Sequence, residues 1–394
     1  MRNSKIHLAK PLLTMIGLIL SLPVLAAGGA SQYDNSYDLS VPVYVITDRN
    51  LTKYPSTKSL SNPAILSCDI HAGIVRVPVR VKMVRQLDLL SLKTWGCSVQ
   101  NKHYPQRISR DGIESQLVRP PSTVVTIGPG NLNPLAGLDS FIDQLNNQIA
   151  KSSQNELLIF IHGCCEGPQD SYEEAAQLSV QCNSPVLLLD WASPSVRQAG
   201  FWSYIQSDRA LEVSEIYFGK LIEHLREKKS SKRITLVAFS MGSKLVRNYL
   251  RQFPDSFIDQ VHLVRPDISL PVFLMEQDKF KNQFGQMYIY VSAHDLALQS
   301  SALLMSSNVE RLGMQYDPSR WFAKQLINAP ANTTIIDTSS LHLEYDVIGH
   351  RIPFEAIGYI SDLENEKTIS SFEIERPFST NPHFCKLRYK NTGL

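Results

Sequence analysis

A chain of 394 residues is long enough for one large α/β domain or two modest ones. With 43% apolar residues it can build a sizeable core. A formal net charge of +2, with Lys and Arg scattered rather than striped along one helix, argues against nucleic acid as a partner.

Arg2, Lys5 and Lys10 give the chain a positive start, Pro11 to Leu25 is a short apolar run, and small residues follow at Ala26, Ala27, Gly28, Gly29 and Ala30. This pattern reads as a secretory signal peptide over residues 1–27. The run is shorter than the ~20 residues of a membrane span, and no Cys follows it to carry a lipid. The expectation is a soluble mature chain, periplasmic or secreted, with no stable membrane span. Its six cysteines, Cys68, Cys97, Cys164, Cys165, Cys182 and Cys385, are an even number and suggest disulfides. The local pairs to consider are Cys68 with Cys97, and Cys164 or Cys165 with Cys182.

Residues 31–41 are polar and read as loose. A strand is expected over 43–47. Residues 74–83 alternate as I-V-R-V-P-V-R-V-K-M, a strand whose proline suggests an edge position. Residues 98–136 read mostly as loop. From about 137 the rhythm changes. Helical spacing over 138–150 precedes an apolar strand over 156–162. Ser171 then opens a helix, with Glu174 as the partner in a capping box. Strands over 185–190 and 233–239 flank a long amphipathic helix over 205–228. A helix over 241–253 and strands over 259–264, 287–292 and 333–337 complete the pattern. Short apolar strands alternating with helices predict a doubly covered, mostly parallel sheet. The fold expected is an α/β-hydrolase: a core over 137–394, with a β-rich extension over 28–136 that adds edge strands.

The segment I-T-L-V-A-F-S-M-G-S-K-L-V carries the chemistry. An apolar strand ends at Phe239, Ser240 follows, then Gly242, then a helix, which is the setting of a nucleophile elbow. Ala238 stands where that motif has its first glycine. Ser240 is therefore the candidate nucleophile, although a helix N-cap serine would look the same. The strand I-F-I-H-G-C-C-E-G at 159–167 is the candidate oxyanion loop. Its donors would be the backbone N–H groups of Met241 and Cys164, with His162 structural rather than catalytic. Two aspartates downstream end apolar strands, Asp267 and Asp295, and either can be the triad acid. Among the later histidines, His350 in V-I-G-H-R follows the last strand of the core and is the candidate base. His342 and His383 read as surface residues.

These segments resemble the bacterial α/β-hydrolases of unknown function that open with a Y-x-x-T-D-R segment. The matching residues are V-Y-V-I-T-D-R ending at Arg49, L-L-I-F-I-H-G ending at Gly163, and D-W-A-S-P at 190–194. They continue with S-D-R-A-L-E-V-S-E at 207–215, A-F-S-M-G-S at 238–243 and R-P-D-I-S at 265–269. V-S-A-H-D-L-A-L at 291–298, R-L-G at 311–313 and G-H at 349–350 complete the set. The resemblance implies Ser240 as nucleophile, His350 as base and Asp295, rather than Asp267, as acid. Three places depart from the family's pattern. Phe239 replaces the histidine of A-H-S-M-G, Cys164-Cys165 replace the Y-N of H-G-Y-N, and Trp191-Ala192-Ser193 replace W-P-S.

The expected activity is hydrolysis of small acyl esters through an acyl-enzyme. No metal or organic cofactor is implied, since the chain holds neither a G-x-G-x-x-G nor a phosphate loop. The same residues would serve a thioesterase, amidase or peptidase, and the altered motifs raise a non-catalytic binding protein on a hydrolase scaffold as the alternative. About twenty residues separate the strands near Val264 and Met287, too few for a large lid. Soluble substrates are expected over lipid interfaces.

Overall fold

The computed structural model describes residues 36–49, 66–82, 98–100, 113–115, 125–127 and 138–389, the last with breaks at 153, 196–201, 229–232, 306–308, 315–328, 342–345, 347, 353, 363–371 and 376–383. The signal-peptide reading, Cys97, His342 and His383 lie outside these residues.

Five strands precede the core: β1 Ser36–Arg49, β2 Leu66–Lys82, β3 Ser98–Gln100, β4 Ile113–Ser115 and β5 Val125–Ile127. The core then alternates. Helix α1 (Asp139–Ile149) leads to β6 (Glu156–Ile161), α2 (Pro168–Gln181) to β7 (Val186–Asp190), and α3 (Trp202–Lys228) to β8 (Arg233–Phe239). After a single 3-10 turn at Ser240–Gly242 come α4 (Ser243–Gln252), β9 (Ile258–Val264), α5 (Leu270–Phe280), β10 (Phe284–Val291) and α6 (Leu296–Met305). The chain ends with β11 (Thr333–Asp337), α7 (Phe354–Asp362), β12 (Phe372–Glu375) and β13 (Phe384–Tyr389).

Among the described residues the strands form one sheet in the order β12-β13-β11-β10-β9-β8-β6-β7-β1-β2-β4, with β3 also against β1 and β5 against β2. From β13 to β1 every neighbouring pair is parallel, and β12 and the early strands pair antiparallel. Strand β6, E-L-L-I-F-I, is buried at every position because helices cover both faces. Leu157, Ile159 and Ile161 pack with Leu221 and Leu245 on one face; Leu158 and Phe160 pack with Tyr172 and Ile357 on the other. Each such side chain contributes about 1.5–3 kcal/mol by leaving water.

Strand β1 is longer than its sequence suggests and lies inside the sheet rather than at its edge. It pairs in parallel with β7 from Val43 to Thr47 and antiparallel with β2 along its whole length. Its first residues, read as loose, are held by β3, which pairs with 38–40. Pro42 falls where β1 changes partner from β3 to β7, so its missing N–H costs no bond on that side. Pro78 sits in the stretch of β2 that neither β5 (at 70–72) nor β4 (at 79–81) pairs. Helix α2 starts at Pro168, three residues earlier than expected. Asp170 Oδ2 accepts the Gly167 N–H at 3.1 Å, in place of the Ser171–Glu174 box. Proline's fixed φ suits a first helical position.

Candidate active site

All the candidate groups lie at or beyond the carboxyl ends of parallel strands, where open α/β sheets present their sites. Strand β8 delivers Ser240 in the left-handed region, φ 50°. For a residue with a Cβ this conformation costs on the order of 1–3 kcal/mol and persists only where its surroundings impose it. Here they do. The Ser240 carbonyl accepts the Asp267 N–H at 3.1 Å, and the turn runs straight into α4. A Cβ on Gly242 would lie 2.4 Å from the His162 carbonyl oxygen and 3.0 Å from that of Ile161, so only glycine lets the elbow meet the end of β6. Ala238 is fully buried, in register with Ile161 and Leu263, and its single methyl fits there.

Asp295 and His350 meet. Asp295 ends the turn after β10 and is fully buried; its Oδ2 accepts the His350 Nδ1–H at 2.7 Å. Its Oδ1 accepts the Leu298 N–H at 2.9 Å, so the carboxylate is fixed by the N-terminus of α6. The Leu296 N–H donates to the Ile348 carbonyl, which ties the His350 loop to the Asp295 turn. Gly349, at φ 62°, passes so close to the His294 carbonyl that a Cβ would lie 2.3 Å from it. Arg351, the residue after His350, pairs with Glu174 of α2 and stands 3.5 Å from Glu166. Burial, with Glu174 alongside, raises the Glu166 carboxyl well above its ordinary value.

Asp267 is also buried, but its carboxylate is engaged elsewhere. It accepts from Tyr204 at 2.5 Å and Ser301 at 2.7 Å, with Arg311 Nε at 3.3 Å. Its surroundings are those of a structural hub behind the elbow.

The loop after β6 touches the elbow directly. A Cβ on Gly163 would lie 2.8 Å from Phe239 Cδ1 and 3.1 Å from Ser240 Cβ. Phe239 in turn lies tilted against the His350 ring, centroids 4.9 Å apart. The residue noted only as a departure in the motif therefore touches the loop, the elbow and the His350 ring. The disulfide runs between Cys164 and Cys165 themselves, and Cys182 and Cys385 are thiols. The expected pairing with Cys182 fails for a simple reason. Helix α2 separates the two ends by 14 residues, about 21 Å at 1.5 Å per residue, against the ~7 Å limit on Cα separation in a disulfide.

Beneath this loop is a buried polar group whose roles the motifs did not reveal. Arg49 Nε donates to Asp190 Oδ1 at 2.8 Å and Nη1 to the Ser193 carbonyl at 2.6 Å. His162 Nδ1–H meets the Gly163 carbonyl at 2.8 Å, its Nε2 lies 3.2 Å from Asp190 Oδ1, and its ring stacks on Trp191. Burial raises the Asp190 carboxyl, but Arg49 and His162 outweigh it and hold the group below its ordinary value. His162 is thus tied into the buried group beneath the loop.

The family model of the α/β-hydrolases of unknown function (DUF900) matches residues 138–357. The chain belongs to that family. The match takes in Ser240, Asp295 and His350 but begins beyond Arg49. No curated protein matches this α/β-hydrolase. A solved structure, carboxyl esterase 2 from the mycorrhizal fungus Tuber melanosporum, is similar at 15% identity with a TM-score of 0.27, a likeness too slight to bear on function. The alignment covers 53% of this hydrolase and 64% of that esterase, under two thirds of its length. Among the described residues no helix is long and apolar enough to cross a membrane, and no cluster of His, Cys, Asp or Glu could hold a metal ion.

Proposed function

We propose that the chain is a serine hydrolase of small acyl esters. The observation that carries this reading is the 2.7 Å bond between His350 and Asp295, with the imidazole against the residue preceding a serine in left-handed backbone. In the reaction, His350 Nε2 takes the Ser240 proton as Oγ adds to the ester carbonyl. Asp295 holds the imidazole by its Nδ1–H and stabilises the imidazolium. The Met241 and Cys164 N–H groups receive the oxyanion. The tetrahedral adduct collapses, the alcohol leaves with the proton from His350, and water releases the acid in a second, equivalent addition. The altered residues around Ser240 and in the oxyanion loop are side chains, whereas the proposed oxyanion donors are backbone, so the chemistry survives the departures.

Replacing Ser240 by Ala should abolish hydrolysis in a panel of soluble acyl esters, a loss on the order of 10⁶ in turnover, with the circular dichroism unchanged. A fluorophosphonate probe should label the native protein and spare Ser240→Ala. Retained turnover in the variant would end the mechanism. A native protein inert to both esters and probe would favour the binding-protein reading, and cleavage of thioesters or amides in preference to esters would move the substrate class. We further infer export. The adjacent disulfide accords with an oxidising compartment, and cell fractionation that recovers the chain in the cytosol would reject it.

A further inference from the structure

We propose that Arg49 is a positioning residue for the oxyanion loop, acting through carbonyls and a serine rather than on substrate. The inference rests on the serine-hydrolase reading above. Arg49 is the last residue of β1 and lies outside the part of the chain that the family match covers. Its side chain is 9% exposed. The guanidinium reaches three groups on two segments: Asp190 at the end of β7 and the Ser193 carbonyl just beyond it, and, through Nη2, the Glu166 carbonyl at 3.3 Å in the oxyanion loop. The same Nη2 lies 3.4 Å from His162 Nε2. Ser193, anchored by its carbonyl, uses its Oγ to accept the Cys165 N–H at 2.7 Å. Thus both sides of Cys164 are tethered: His162 and Gly163 through the imidazole, Cys165 and Glu166 through Ser193 and the guanidinium.

A buried cation serving only to join β1 to β7 would be poorly chosen, since an apolar pair of similar volume stabilises as well or better. What a planar, multiply donating group adds is fixed geometry. Two of its N–H groups go to backbone carbonyls of the segments that frame Cys164, and Cys165 sits at φ 69°, a conformation such tethers can hold. Lysine would keep the charge beside Asp190 and lose the fork.

The test compares Arg49→Lys with the native protein on a matched pair of substrates, an acyl ester and its thionoester, in which sulfur replaces the carbonyl oxygen. An oxyanion hole set for oxygen favours the ester, because sulfur is larger and a weaker acceptor. Loss of folded protein lowers both rates alike and cancels in their ratio; a misplaced loop does not. Arg49→Lys should lower kcat on the ester on the order of 10²-fold, leave KM within about twofold, and narrow the ester-to-thionoester ratio. If Arg49→Lys does not fold, R49M/D190N removes both buried charges together and should narrow the ratio in the same way. Rates that fall equally on both substrates, or an unchanged kcat, overturn the positioning role while leaving the esterase intact. A native protein that hydrolyses neither substrate overturns the underlying reading instead.

Discussion

At Gly242 one contact decides which residue fits. A methyl group there would meet the His162 backbone oxygen at 2.4 Å, and neither strand end can yield, because each lies in the middle of the parallel sheet. Gly242→Ala should lose about 1–3 kcal/mol of stability, as overpacked sites do, and should depress turnover further by parting the elbow from the loop. Thermal melts and rates on one sample check both. The two aspartates separate by what they touch. Asp295→Asn should cost about 10⁴ in turnover, as loss of the acid does in a serine protease, while its helix-capping role passes to the amide oxygen. Asp267→Asn weakens bonds from Tyr204, Ser301 and Arg311, so it should lower the melting temperature with turnover per folded molecule preserved. Turnover that collapses for Asp267→Asn and survives for Asp295→Asn would reverse the roles.

Among the elements, β1 bears the strongest prediction. A chain beginning at residue 137 would contain the whole family match, yet it would leave β7 with an open edge and lose Arg49. It should be aggregated on size exclusion; a soluble monomer with esterase activity would show that β1 is dispensable. Helix α5 speaks to substrate choice. Leu270, Phe273 and Phe280 anchor it in the core, so it is no detachable flap. Activity on soluble esters should show no jump at the micelle threshold. The legibility of these elements in sequence follows their physics. Strands β6 and β7, E-L-L-I-F-I and V-L-L-L-D, are buried at every position and read as almost unbroken apolar runs, whereas β9, I-D-Q-V-H-L-V, is buried along most of its length with polar residues inside the run. Strands β3, β4 and β5 are three residues each, S-V-Q, I-E-S and V-T-I, too short to show a period, and owe their pairing to distant partners. Ser240 was legible because its turn is local, while Asp295 and His350 are 55 residues apart and became a pair only through family resemblance and then contact. Arg49 and Asp190 are 141 apart, and nothing near either one names the other.

For the molecule as a whole, buried carboxyls set the response to pH. Burial raises Asp48 from 3.8 to about 6, against the opposing pull of Ser214 and Arg49. Between those values the folded protein binds the proton more readily than the unfolded chain. This group therefore supports stability at low pH and withdraws that support as pH climbs through 4 to 6. The shift corresponds to about 3 kcal/mol. Asp190, held low, acts in the opposite sense: its contribution is present at neutral pH and is lost only as acid protonates it. Asp48→Asn should flatten the decline across pH 4 to 6, measured by chemical denaturation at each pH; an unchanged slope would assign it to other carboxyls.

The insertion of β1 between β2 and β7 also sets a schedule. Translation finishes the β1–β2 pair at Lys82, and Arg49 then waits for 108 more residues before Asp190 exists, roughly 5–22 s at the ~5–20 residues per second of synthesis. For that interval V-P-V-Y-V-I in β1 has its β7 side unclaimed, and the stretch of β2 between its β5 and β4 partners keeps one side open; both are valine-rich, the kind of segment that pairs with strangers. The prolines that end up opposite Arg76 and Ser40 each remove a donor from the waiting edge, and Arg76 keeps a charge in water beside them. Replacing both Pro42 and Pro78 by Val should lower the yield of soluble protein from a cell-free translation more than it lowers the melting temperature of whatever folds.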